Sequence, residues 1–225
     1  KISYASSIGG YQLTSNEKEH FKELLEDFHM ISVREKDTQL LLQDVLGKNV
    51  HHVLDPTLLL SKKEWLETLK IDEIENKKEK YILLYTVPKN PLIRNAVNYF
   101  SMKTGYKVIA LDQGLTAGAK VSQQVRDAGP IEYLELFANA AFVITDSFHG
   151  TCFSINFELP FVVVTHGAHS NRIESLLALV GLESRLVKSE MDFIGLDIMM
   201  DYSDVHKSLL KSRTDSLLVL SSNIS

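Results

Sequence analysis

Ala141–Thr145 is a run of five residues, four of them apolar, with no alternation between one face and the other. A strand that is apolar on both sides belongs in a sheet covered on both faces, and such sheets are built from alternating parallel β and α segments. Tyr81–Val87, Tyr106–Leu111 and Phe161–Thr165 are further strand-length runs, and helix signals separate them. Asn90-Pro91 opens a helix with Pro at its first position, and Gly105 closes it. Ile131–Asn139, Gly150–Phe157, Arg172–Val180 (ended by Gly181) and Val205–Leu220 complete the helices of this block.

The front of the chain repeats the alternation. Ile2–Ser6, Met30–Val33 and Val50–Leu54 read as strands. A helix capped by Asn16 follows the first, and Asp37–Leu46 forms the second with Leu40, Leu41 and Val45 inward and Gly47 after it. A third starts at the capping box Ser61…Glu64. Lys70–Lys80, KIDEIENKKEK, is the most charged stretch and reads as a solvated linker. The expected organisation is therefore a Rossmann-like remainder over 1–69, a linker over 70–80 and a second Rossmann-like domain over 81–225. Lys1–Ala5 reads as a strand entered in mid-fold, so the sequence is expected to be the later part of a longer chain.

Net charge is −5 and the sequence pI about 5.9, so no global basic field draws nucleic acid or anionic membrane. An anionic ligand would need a local cluster. The single cysteine, Cys152, excludes a disulfide framework and any multi-cysteine metal site. It sits at an apolar helix start, as a core residue does. No apolar run reaches the roughly 18–20 residues that span a bilayer. The lone thiol suits a reducing, cytoplasmic location, and peripheral association at the inner membrane face is a separate expectation.

The most informative segment is Thr145-Asp146-Ser147-Phe148-His149-Gly150, between a strand and a helix. Ligands of open α/β sheets bind outside the carboxyl ends of strands, and a helix start offers unpaired N–H groups and a positive dipole end. Ser147 and Thr151 add hydroxyls, Gly150 allows close backbone approach, and His149 adds an imidazole, the side chain most used for proton transfer. An anion site with an acid/base residue beside it and a plain helix cap, with His149 as an ordinary surface residue, fit this spacing equally well.

These residues, followed by Leu159-Pro160 and a Val-rich strand, resemble the signature of the polysaccharide pyruvyl transferase family. Ile31-Ser32-Val33-Arg34-Glu35, Leu54-Asp55-Pro56-Thr57-Leu58-Leu59, the Lys1–Gly9 strand, Gly129-Pro130-Ile131-Glu132 and Asn171–Leu177 extend the likeness in register across nearly the whole chain. The resemblance implies two Rossmann-like domains of GT-B type, the first lacking its N-terminal part. It implies transfer of a pyruvyl group from phosphoenolpyruvate to two hydroxyls of a saccharide acceptor, lipid-linked in some members, with no cofactor and no metal. Family members usually carry a longer front with a Gly-Asn-Tyr-Gly-like stretch and a Gly-Ser-Asp segment, and some have Arg where this chain has Ser147.

Within that resemblance His149 is the expected general acid/base, and Ser147, Gly150 and Thr151 form the anion cradle. Arg34 and Arg172 are expected anion contacts, and Asp146 caps the helix or orients His149. Lys89, His166 and His169 follow strands and are weaker candidates. His51 and His52 point to opposite faces of a strand and make a poor metal pair. A GT-B glycosyltransferase, a sugar-nucleotide epimerase and a truncated, non-catalytic sugar- or anion-binding module are the alternatives.

Overall fold

In the computed structural model, which describes residues 1–72, 79–86, 90–112, 114–165 and 170–224, every paired strand runs parallel to its neighbour. The chain divides into two units. The first comprises Lys1–Leu59, Gly167–Leu182 and Ser203–Ser225; the second comprises Leu60–His166 and Glu183–Tyr202.

The first unit holds a three-stranded sheet of β1 (Ile2–Ser6), β2 (Met30–Val33) and β3 (His51–His52), in that order. Helices α1 (Ser15–Leu25) and α2 (Lys36–Leu46) connect the strands. Ile31, Val33, Leu42 and Val50 form its core, with Phe21, Leu25, Phe28 and Leu46 packed against them. The cap of α1 is Thr14 rather than Asn16. Its hydroxyl accepts from the Glu17 amide and the Glu17 carboxylate returns to the Thr14 amide, a complete capping box two residues earlier than expected. On α2 the inward face is Thr38 and Leu42, four residues apart, with Leu41 and Val45 half-buried beside them, while Leu40, two positions from each of Thr38 and Leu42, is 57% exposed. Gly47 closes α2 with φ +63, a left-handed value that glycine adopts without steric cost.

The second unit contains α3 (Lys62–Leu69), β4 (Tyr81–Tyr85), α4 (Pro91–Thr104), β5 (Lys107–Leu111), β6 (Gln123–Val125), α5 (Pro130–Ala138), β7 (Phe142–Thr145), α6 (Phe148–Asn156), β8 (Phe161–Val164), β9 (Leu186–Val187) and α8 (Glu190–Phe193). Its six strands lie in the order β6-β5-β4-β7-β8-β9, the doubly wound Rossmann arrangement. Ile82, Leu84, Phe142, Ile144, Val162 and Val164 face Ile93, Ala96, Val97 and Phe100 of α4 in one buried cluster. On the other side Tyr85 meets Tyr133 and Phe137 of α5 edge-on, at 5.2 and 6.1 Å between ring centroids. Both sheet faces are covered, as the unalternating strands require.

The units do not follow the expected division of the chain at 69–81. Helix α3 joins the second unit because Trp65 packs edge-on against Phe153 of α6 at 5.7 Å. Helices α7 (Asn171–Val180) and α9 (Ser203–Ile224) return to the first. Ser216 of α9 accepts from the Leu54 amide at 3.0 Å and Arg213 donates to the Leu58 carbonyl at 2.8 Å. Of the expected linker, residues 73–78 lie outside the described residues. Among the described residues no helix is long and apolar enough to cross a membrane.

Candidate active site

In the second unit the chain moves from β4 to β5 and β6 on one side, then crosses to β7, β8 and β9 on the other. The switch point therefore lies between β4 and β7, where such sheets bind ligands beyond their carboxyl ends. Tyr85-Thr86 and Thr145-Asp146-Ser147 are the residues there. Thr145 Oγ1 ties them together: it donates to the Tyr85 carbonyl at 2.6 Å and accepts from the Ser147 amide at 3.0 Å.

Ser147 is the N-cap of α6, in extended conformation (φ −88, ψ 136), so the cap is Ser147 and not Asp146. Its Oγ accepts from the Gly150 amide at 3.3 Å, and its carbonyl accepts from the Thr151 amide at 2.9 Å and the Thr151 hydroxyl at 3.0 Å. The donors expected to face an anion at Gly150 and Thr151 are thus engaged with Ser147, and Thr151 is fully buried. His149 is the exposed side chain of Asp146–Thr151, with its ring 5.5 Å from that of Phe148. The helix behind it is buried from Gly150 to Asn156, Cys152 included, so the imidazole stands on a rigid base.

Gly150 has a steric reason to be glycine. A Cβ there would lie 2.3 Å from Thr145 Oγ1 and 3.0 Å from Tyr85 Cδ1. Thr145 cannot yield easily, because its hydroxyl is held by Tyr85 and Ser147. Gly150→Ala gains about 1 kcal/mol of helix propensity. It should nevertheless destabilise by up to about 2 kcal/mol net, because overpacking against the central strands costs about 1–3 kcal/mol. Thermal unfolding checks this; an unchanged Tm would mean that the start of α6 is free to shift outward.

Beside the same edge, Tyr85, Thr86, Asp112, Arg126 and Tyr133 line a cavity of about 360 Å³. Burial pushes the Tyr133 phenol well above its ordinary pKa, with the nearby Tyr85 adding to the shift, so it stays protonated as a donor. Arg126, exposed at the end of β6, is the cation on this cavity, and sequence reading passed it over. It follows a polar three-residue strand, Gln123–Val125, that gives no apolar signal to mark a sheet position.

Arg34 and Arg172 belong to the first unit. The Arg34 guanidinium is bonded to Asp55, and its side chain is 17% exposed. Asp55 is 3% exposed and accepts from the Thr57 amide at 2.9 Å and hydroxyl at 2.7 Å. Burial raises the Asp55 pKa, but these bonds and the Arg34 charge outweigh it and hold the carboxyl below its usual range. Ser32 Oγ donates to the Ser3 carbonyl at 3.0 Å and accepts from the Ala5 amide at 3.0 Å, and Ser7 bonds the Glu35 carboxylate. The three front motifs are therefore one bonded cluster at the carboxyl edge of β1 and β2. Arg172 is half-buried in the first turn of α7. Lys89, His166 and His169 lie outside the described residues. Among the described residues no group of His, Cys, Asp and Glu could hold a metal ion.

A family model described as polysaccharide pyruvyl transferase matches residues 1–168. Among curated proteins none matches the chain in sequence. Among solved structures, one similar chain is a Listeria monocytogenes protein described as a UDP-N-acetylglucosamine 2-epimerase, with 12% identity over 88% of this chain and a TM-score of 0.53. Another is the UDP-GlcNAc 2-epimerase of Neisseria meningitidis, with 12% identity over 85% of this chain and a TM-score of 0.51. This chain spans 60% and 53% of their respective lengths. At such identity the likeness concerns the fold, which is α/β with parallel, Rossmann-like sheets of GT-B kind.

Proposed function

The chain belongs to the polysaccharide pyruvyl transferase family, and from that premise we propose that it moves a pyruvyl group from phosphoenolpyruvate to two hydroxyls of a saccharide acceptor, forming a cyclic ketal. The observation that carries this reading is the exposed imidazole of His149, held on a buried helix at the switch point of a parallel sheet.

The methylene carbon of the donor gains a proton and becomes the methyl group, while C2 takes up electrophilic character. One acceptor hydroxyl adds to C2 and loses its proton. The second hydroxyl then displaces phosphate at C2 and loses its own. Both halves need a group that gives and takes protons near neutrality, and His149 fills that role. Ser147 and Gly150 fix the ring's base, and Asp146 stands at the turn beside it. The donor is strongly anionic, and Arg126 is the cation that the second unit offers on the cavity beside the sheet edge; Arg34 and Arg172 are separate proposals as anion contacts.

Incubation with phosphoenolpyruvate and galactoside or N-acetylmannosamine-containing acceptors should release phosphate only when an acceptor is present. In heavy water the product methyl group should carry one deuterium, because one proton comes from solvent. Turnover of a sugar nucleotide with none of phosphoenolpyruvate would replace this reading with a glycosyltransferase or epimerase; binding without turnover would leave a non-catalytic module.

A further inference from the structure

The first unit has a cavity of its own, of about 590 Å³, that none of the expected site residues lines. Its volume lies in the range of small-ligand sites. One wall is the face of α7 that carries Asn171, Glu174, Ser175 and Ala178, spaced three and four residues apart. Ile173, Leu176, Leu177 and Val180 of the same helix are buried, so the polar face is the one left to the cavity. The opposite wall is the first turn of α2, Lys36 and Asp37. His52, at the carboxyl end of β3, completes the lining.

These walls are joined by hydrogen bonds. Asn171 Nδ2 donates to Asp37 at 3.3 Å, and the Lys36 amide donates to Ser175 Oγ at 3.4 Å. His52 bonds the Arg34 carbonyl at 3.0 Å through Nε2. A carbonyl only accepts, so Nε2 carries the proton and Nδ1 is the acceptor of the neutral ring. Burial lowers the His52 pKa below its ordinary value, against the opposing effect of that carbonyl, so the ring is neutral at pH 7.

The charge balance separates possible ligands. Asp37 and Glu174 occupy the first turns of α2 and α7 and neutralise the positive ends of those helices. Lys36 is turned along its own helix to Gln39 at 2.7 Å. Two carboxylates and a neutral imidazole oppose a strongly anionic donor. Paired donors and acceptors, with Ala178 and Leu179 as apolar lining, suit a neutral polyol instead. We propose that this cavity on the first unit seats the saccharide acceptor, with Asp37, His52, Asn171 and Glu174 binding its hydroxyls. The proposal rests on the pyruvyl-transfer reading for the word acceptor, but not for the binding of sugar.

Asn171→Ala and Ala178→Trp test it, the second filling the cavity from an exposed position. Methyl β-galactopyranoside and methyl N-acetyl-β-mannosaminide serve as probes, followed by saturation-transfer NMR on the whole chain. At least one should bind the wild-type protein, and each variant should weaken it roughly tenfold or more while phosphoenolpyruvate affinity and Tm stay unchanged. In turnover the same variants should raise the acceptor KM and leave the donor KM alone. Binding of neither sugar to the wild-type protein, unchanged sugar affinity in a folded Ala178→Trp variant, or a selective loss of phosphoenolpyruvate affinity would each overturn the proposal. Sugar binding that is lost in the variants, in a protein that never turns over phosphoenolpyruvate, would retain this site and refute only the pyruvyl-transfer reading.

Discussion

His149→Ala should lower kcat/KM for pyruvyl transfer by about 10²–10⁴-fold, the usual contribution of a positioned acid/base group. The same substitution should leave Tm almost unchanged, within about 0.5 kcal/mol of stability, because the side chain is exposed and lies outside the core. The two readouts together make the test sharp. A residue that merely packed or capped the helix would move stability, whereas here the cap is Ser147 and the packing belongs to Gly150, Thr151 and Phe153. Phosphate release and a thermal melt on the same sample suffice. A fall in Tm of several degrees with activity retained would make His149 structural and leave the switch point without its proton carrier. His149→Asn keeps a polar planar group without a titrating nitrogen, so it should be as inactive as the alanine variant.

The alternation that predicts this architecture was legible where several weak signals agreed. Asn90-Pro91 with Gly105, the Ser61…Glu64 capping box, and the apolar runs around Phe142 and Phe161 all fall where the elements are. Short edge strands carry no such agreement. β6 is Gln-Gln-Val and β9 is two residues long, so neither shows a pattern before its neighbours supply one. The division of the chain was hidden for a different reason. Charge marks where a segment meets water, but membership of a unit is decided by contacts such as Trp65 on Phe153 and Ser216 on the Leu54 amide, which are remote in sequence. His52 illustrates the limit for site residues. Strand alternation shows only that it cannot pair with His51 on a metal, while its actual surroundings come from α2 and α7, the latter more than a hundred positions away. Arg34 was legible as a cation at the end of a strand, and its Asp55 partner as a strand-ending turn; that the two form one bonded pair needed the parallel register of β2 and β3.

Asp55→Ala should destabilise the first unit by about 3–5 kcal/mol, the scale of breaking a buried ion pair by removing one partner. The carboxylate is almost wholly buried, and its removal leaves the partly buried Arg34 guanidinium and the Thr57 amide and hydroxyl without their acceptor. The sign of the pH dependence follows from its depressed pKa. Asp55 stabilises the fold fully above the unfolded carboxylate value of about 3.9 and loses that contribution as pH falls through the lower folded value. The stability gap between wild type and Asp55→Asn should therefore be widest at neutral pH and close in acid. Denaturant unfolding at several pH values measures it; a gap independent of pH would mean that the aspartate acts through packing alone. The double change Arg34→Met with Asp55→Leu removes both charges of the pair, and should be less destabilising than Asp55→Ala, which removes one of them. That variant also separates the two roles open to Arg34. If the arginine serves only to hold the turn after β3, a folded double variant keeps its affinity for phosphoenolpyruvate; if it also meets the donor, the fold survives and that affinity falls.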